Sequence, residues 1–155
     1  MVRVLGLDFG SVRIGVAVSD PTGTIAQPLE VIPHRGFRSV VARIRSLIAA
    51  HQVDKIVVGL PRRLDGQEQK EAVAVRVFAA RLQAAVSVPV EFADERLSTA
   101  EAERAMIEAD ASRAQRRSAR DAVAAALILQ TYLDRTRDEG RRSNVESRDD
   151  QKRDA

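Results

Sequence analysis

Cysteine is absent from this chain of 155 residues, so neither a disulfide frame nor a thiolate metal site can form. Tryptophan is absent too, and aromatic residues make up only 3% of the sequence. Phe9, Phe37, Phe78 and Phe92 all stand at core-like positions, which leaves no aromatic platform for stacking bases. Lysine occurs only at Lys55, Lys70 and Lys152, so the formal net charge of +3 is carried almost wholly by arginine, the better bidentate ligand of phosphate. No hydrophobic stretch approaches a signal peptide or a membrane-spanning helix, and a cytoplasmic protein with no membrane partner is expected.

What is present suits one domain with a real core, 45% hydrophobic and 30% charged. Three strand-like runs come first: Val4 to Phe9, Ile14 to Val18, and Ile25 to Ile32 after the turn Asp20-Pro21-Thr22-Gly23. The period then changes. Phe37, Val40, Val41, Ile44, Leu47 and Ile48 fall at helical spacing, Lys55 to Gly59 reads as a buried strand, and Ala74, Val77, Phe78 and Leu82 form a second helical stripe before the strand Val88 to Phe92. Such alternation implies parallel pairing with helical crossovers. Ser98-Thr99-Ala100-Glu101 is a capping-box signature for a further helix bearing Ala102, Ala105, Met106 and Ala109 on one face. Residues 110–120 read as a basic loop, and 121–133 as a helix so apolar that it is buried against the sheet. The expected domain is 1–134. Residues 135–155 mix both charge signs with almost nothing apolar and read as a disordered tail.

Three carboxylates sit at element ends, where a solvated face does not explain them. Asp8 closes the first apolar strand beside Gly10, Glu95 follows the last strand, and Asp121 precedes Ala125 and Ile128 on the apolar stripe of the buried helix. Each alone has a structural explanation: accepting turn amides, pairing with Arg96, or capping a helix. With the first strand central and parallel to the later two, however, Asp8 and Glu95 emerge at the sheet edge where ligand sites of α/β folds lie. Asp94 alternates with Glu95 and is the weaker candidate. His34 and His51 are isolated and read as surface or helix-end residues.

Leu7-Asp8-Phe9-Gly10, Ile14 to Ser19, Val58-Gly59-Leu60-Pro61 with Asp65-Gly66, Asp94 to Thr99, and Asp121 opening an alanine-rich helix resemble, in this order, the YqgF family, also called RuvX. The resemblance covers residues 3 to 133. It implies an RNase H-like α/β fold: a five-stranded mixed sheet, its first three strands antiparallel, flanked by helices. It also implies that Asp8, Glu95 and Asp121 are catalytic metal-binding acids for Mg²⁺ or Mn²⁺, in an endonuclease that matures the 5′ end of 16S rRNA or resolves Holliday junctions. Relatives resembling RuvC carry a further Asp one turn into the last helix, whereas position 124 here is Ala, which leaves a fourth ligand open.

Contacts to nucleic acid, whether precursor rRNA or branched or single-stranded DNA, are expected from Arg13, Arg62, Arg63, Arg96, Arg113, Arg116, Arg117 and Arg120. Two other classes compete: a binding module with vestigial acids, and an ATP-binding domain of the actin and sugar-kinase type, which needs two such domains. Symmetric junction cutting would call for a homodimer, a question the sequence leaves open.

Overall fold

The computed structural model describes residues 2–61, 70–94 and 113–153, with side chains over 121–141 of the last stretch. Strands β1 (Val4–Phe9), β2 (Arg13–Ser19) and β3 (Ala26–Pro33) lead into helix α1 (Phe37–His51), strand β4 (Lys55–Leu60), helix α2 (Lys70–Ala85), strand β5 (Val90–Asp94) and helix α3 (Arg113–Arg153). The sheet order is β3-β2-β1-β4-β5. The first three strands pair antiparallel, while β4 pairs parallel with both β1 and β5, the parallel pairing that the alternation of periods implies, and β1 is central.

Alternation along the strands divides the core in two. Leu5, Leu7, Ile14, Val16, Val18, Ile56, Val58 and Leu60 face α1 and α2, against Val40, Ile44, Leu47, Val75, Phe78 and Leu82. Each such aliphatic side chain removed from water contributes about 1.5–3 kcal/mol. On the other face, Val4, Ala17 and Val57 meet Ala125, Ala126, Leu129 and Leu133 of α3. Small residues dominate here because α3 lies very close to the sheet. A Cβ on Gly6 would stand 2.8 Å from that of Leu129 and 3.2 Å from the carbonyl oxygen of Ala125.

Several expectations need correcting. The buried stripe of α2 is Ala72, Val75, Phe78, Ala79 and Leu82, whereas Ala74 and Val77 face solvent. Phe92 is 38% exposed, its ring covered by the Arg76 guanidinium 5.2 Å from the centroid, because β5 is an edge strand. Residues 113–120 are helical rather than a loop, and α3 continues to Arg153. A helix nucleated by its buried central turns needs only propagation to extend, and Asp134 and Arg137 form an ion pair one turn apart on the extension. The capping-box helix falls outside the described residues.

Candidate active site

β1 carries Val4, Gly6 and Asp8 on the α3 face, which sends the one carboxylate of the strand toward that helix at the C-terminal edge of the sheet. Its antiparallel partner is Gly15. A Cβ on Gly15 would lie 2.0 Å from the carbonyl oxygen of Asp121 and 2.5 Å from its carbonyl carbon. Glycine at this position therefore lets the main chain of Asp121 rest on β2 directly beside Asp8. The structure brings these two acids of the expected set together.

Arg13 joins them. It begins β2, shares the α3 face with Gly15, and places Nε 2.9 Å from Oδ2 of Asp121. That oxygen is buried, and the contact is ionic, without the alignment of a hydrogen bond. Arg13 and Asp121 retain partial access to solvent, with side-chain exposures of 36% and 28%, so the pair lies at the mouth of the site.

The edge behind Asp8 is built by residues the sequence did not single out for function. Phe9 turns to the opposite face and stacks on Phe78 with ring centroids 4.5 Å apart. His34, just beyond β3, meets the Phe9 ring edge-on at 5.5 Å and contacts the Gly10 carbonyl oxygen through Nδ1 at 3.3 Å. His34 is thus part of the scaffold around the turn after Asp8, a role that no spacing in the sequence signals.

Asp94 ends β5 opposite Leu60, on the face of α1 and α2, while its neighbour Ala93 packs on the α3 side. By alternation Asp94 falls on the face away from Asp8, and at the edge of the sheet it also lines a cleft with Thr131, Tyr132 and Arg135 of α3. Glu95, Arg62, Arg63 and Arg96 lie outside the described residues. Arg113, Arg116, Arg117 and Arg120 fall within the first two turns of α3, immediately before Asp121. Among the described residues no three acids or histidines converge to hold a metal ion. Asp8 and Asp121, whose main chains come next to each other at Gly15, both carry hard carboxylate oxygens.

A second polar cluster ties the middle of α3 to the sheet. The Tyr132 hydroxyl donates to Glu91 Oε2 at 2.6 Å and accepts from Lys55 Nζ at 3.1 Å, and Lys55 lies 3.3 Å from Glu91. The Tyr132 hydrogen bond, reinforced by Lys55, holds the Glu91 carboxyl below its ordinary value. The Lys55 ammonium is raised, chiefly by its bond to Tyr132. Burial, then the bond to Glu91, raises the Tyr132 phenol.

With this geometry in view, the family model described as "RuvX: Holliday junction resolvase" matches residues 2–135. The chain belongs to the RuvX family. It is 49% identical over 134 residues to a protein of Moorella thermoacetica named "Putative pre-16S rRNA nuclease", an alignment covering 86% of this chain and 96% of the relative. A protein of the same name from Pelotomaculum thermopropionicum is 50% identical over 134 residues, covering 86% and 87%. Among solved structures, RuvC of Thermus thermophilus in complex with a Holliday junction substrate aligns with a TM-score of 0.51 at 20% identity, over 88% of this chain and 96% of that one. At that identity the likeness speaks to fold alone. The RuvX chain has the RNase H-like fold, as its motifs implied.

Proposed function

We propose that this RuvX chain is a divalent-metal-dependent endonuclease that hydrolyses phosphodiester bonds in nucleic acid, with precursor 16S rRNA and branched DNA as its substrate classes. The observation that carries the reading is the convergence of Asp8 and Asp121 across Gly15. Two acids from separate elements, their main chains adjacent at a sheet edge, would repel each other unless a cation lies between their carboxylates. Hard oxygen donors suit Mg²⁺ or Mn²⁺, and the buried Oδ2 of Asp121, in ionic contact with Arg13, fits such an ion. Asp8, Asp121 and, by family resemblance, Glu95 would hold it. Bound there, the metal would supply an activated water and charge stabilisation at the leaving oxygen.

The chain's own residues have separable tasks in this reading. Asp8 and Asp121 hold the charge that defines the site. Arg13 stands at its mouth, where a guanidinium can exchange its carboxylate for a substrate phosphate. Arg113, Arg116, Arg117 and Arg120 form a positive run leading up to Asp121, and Arg62, Arg63 and Arg96 complete the proposed phosphate contacts. Phosphate contacts of this kind position a backbone without reading sequence. We place the protein in the cytoplasm. Among the described residues no helix is long and apolar enough to cross a membrane. A homodimer would serve symmetric junction cutting.

One observation favours a second reading. The Arg13–Asp121 ion pair balances Asp121 with a protein cation, as a binding module with vestigial acids would do. Purified protein incubated with a precursor 16S rRNA fragment and with a four-way DNA junction, with Mg²⁺ or Mn²⁺, separates the two. Cleavage is expected with these ions and without ATP, and Asp8→Asn, Glu95→Gln and Asp121→Asn should each abolish it while keeping the fold. The ions should also raise the thermal midpoint of the wild type and not of Asp8→Asn. Binding without cleavage of either substrate would establish the binding module instead.

A further inference from the structure

The turn joining β1 to β2 is held from behind by a residue outside both strands. Asp8 and Phe9 end β1, Arg13 begins β2, and residues 10–12 close the hairpin. The turn is tight: a Cβ on Gly10 would be 2.6 Å from the Arg13 carbonyl oxygen. His34 grips it twice. Its backbone amide donates to the Val12 carbonyl at 2.9 Å, and its ring Nδ1 reaches the Gly10 carbonyl at 3.3 Å. A carbonyl only accepts, so the ring must carry its proton on Nδ1 to bond there. The same ring abuts Phe9, which also stacks on Phe78 and packs against the core beneath α1 and α2.

These contacts bracket the site on both sides in sequence. Phe9 and Gly10 follow Asp8 directly, and Val12 precedes Arg13, the partner of Asp121. With Phe9 anchored on the α1 and α2 face, strand alternation sends Asp8 to the α3 face, and the Gly10 bond fixes the main chain immediately beyond it. We propose that His34 is a positioning residue, whose Nδ1–H bond to the Gly10 carbonyl holds the Asp8 and Arg13 ends of the hairpin in the geometry the site requires. It touches neither acid and holds no reacting atom. The proposal rests on the endonuclease reading for its kinetic consequence, though not for the clamp itself.

Two variants separate the bond from the packing. His34→Phe keeps a ring against Phe9 and removes the donor. His34→Asn gives up the ring and keeps an N–H donor at nearly the position of Nδ1. Wild type and both variants should be compared by thermal midpoint, by kcat and KM for cleavage, and by hydrogen–deuterium exchange of the peptide spanning residues 8–13. The expected result for His34→Phe is a kcat lowered by roughly ten-fold at nearly unchanged KM, with faster exchange across the turn. His34→Asn should recover both to within about three-fold, even if its thermal midpoint is the lower of the two. A merely structural histidine would instead make both readouts follow the thermal midpoint. Wild-type kcat and exchange in His34→Phe, or equal loss in the two variants, overturns the proposal. Should the wild type cleave neither substrate, the endonuclease reading fails, and the exchange pattern alone decides whether His34 clamps the turn.

Discussion

The carbonyl oxygen of Asp121 occupies the space a side chain at Gly15 would fill, with only 2.0 Å to where its Cβ would be. The obstacle is helix backbone, which cannot swing aside as the end of a flexible side chain can. Gly15→Ala should therefore displace the start of the buried part of α3 and carry Asp121 away from Asp8. We expect a stability loss of about 1–3 kcal/mol, the usual cost of overpacking, and a cleavage defect larger than that loss explains. Chemical denaturation and single-turnover kinetics on the same preparation check both. Wild-type rates in this variant would show that the site tolerates a wider separation of the acids.

Much of this arrangement is legible in the sequence, and the rest is not, for identifiable reasons. Period-2 and period-3.6 patterns are consequences of burial, so the parallel pairing of β1, β4 and β5 through helical crossovers and the burial of Ala122 to Leu129 follow from them. The second stripe fails at Ala74 and Val77 because Phe78 and Leu82 are compatible with either of two neighbouring faces of α2, and only packing chooses. The basic segment is a related case, since Arg113, Arg116, Arg117 and Arg120 already stand at helical spacing. The nearness of Asp8 to Asp121 has no signature in spacing, and its one trace is a glycine within a strand of otherwise larger residues.

Neutralising Arg113, Arg116 and Arg117 to glutamine tests the basic run on α3. Binding to duplex or junction DNA should weaken, and the slope of log K against log salt should flatten by up to about 0.9 for each phosphate that is no longer neutralised. Single-turnover cleavage at saturating enzyme should change far less. A salt titration by fluorescence anisotropy reads the slope, and an unchanged slope would make this segment merely solvated.

Tyr132→Phe removes the hydroxyl shared by Glu91 and Lys55 and should cost about 0.5–1.5 kcal/mol. The pH dependence has a definite sign. Because the Glu91 carboxyl is lowered in the folded state, its contribution is present above the ordinary carboxylate pKa and is lost as pH falls through the folded value. Because the Tyr132 phenol and the Lys55 ammonium are raised, theirs are present below about pH 10 and are lost as pH climbs beyond it. The variant should therefore show a flatter stability profile at both extremes, with the acid limb only partly flattened since Lys55 still faces Glu91. Glu91 is 44% exposed, so solvent screening keeps the acid effect small. Thermal melts from pH 3 to 11 provide the comparison.

Gly140 lies in the exposed continuation of α3, where a Cβ would meet nothing within 4 Å. Gly140→Ala should raise helicity by circular dichroism and add roughly 0.5–1 kcal/mol to the local stability of that segment. No gain in helicity would mean that the extension is not helical in solution.

Between the Asp121 carbonyl seated on Gly15 and the Tyr132 hydroxyl bonded to Glu91, α3 acts as a measured spacer about 16 Å long. Both anchors are indexed to the strands beneath them, so length and phase of this stretch are fixed together. Exchanging one small apolar residue for another disturbs neither. A single inserted or deleted residue turns everything beyond it by about 100° and shifts it by about 1.5 Å, so that one anchor can hold only if the other lets go. Variation in this part of the chain is thus confined to substitution, and changes of length belong to the extension beyond Leu133.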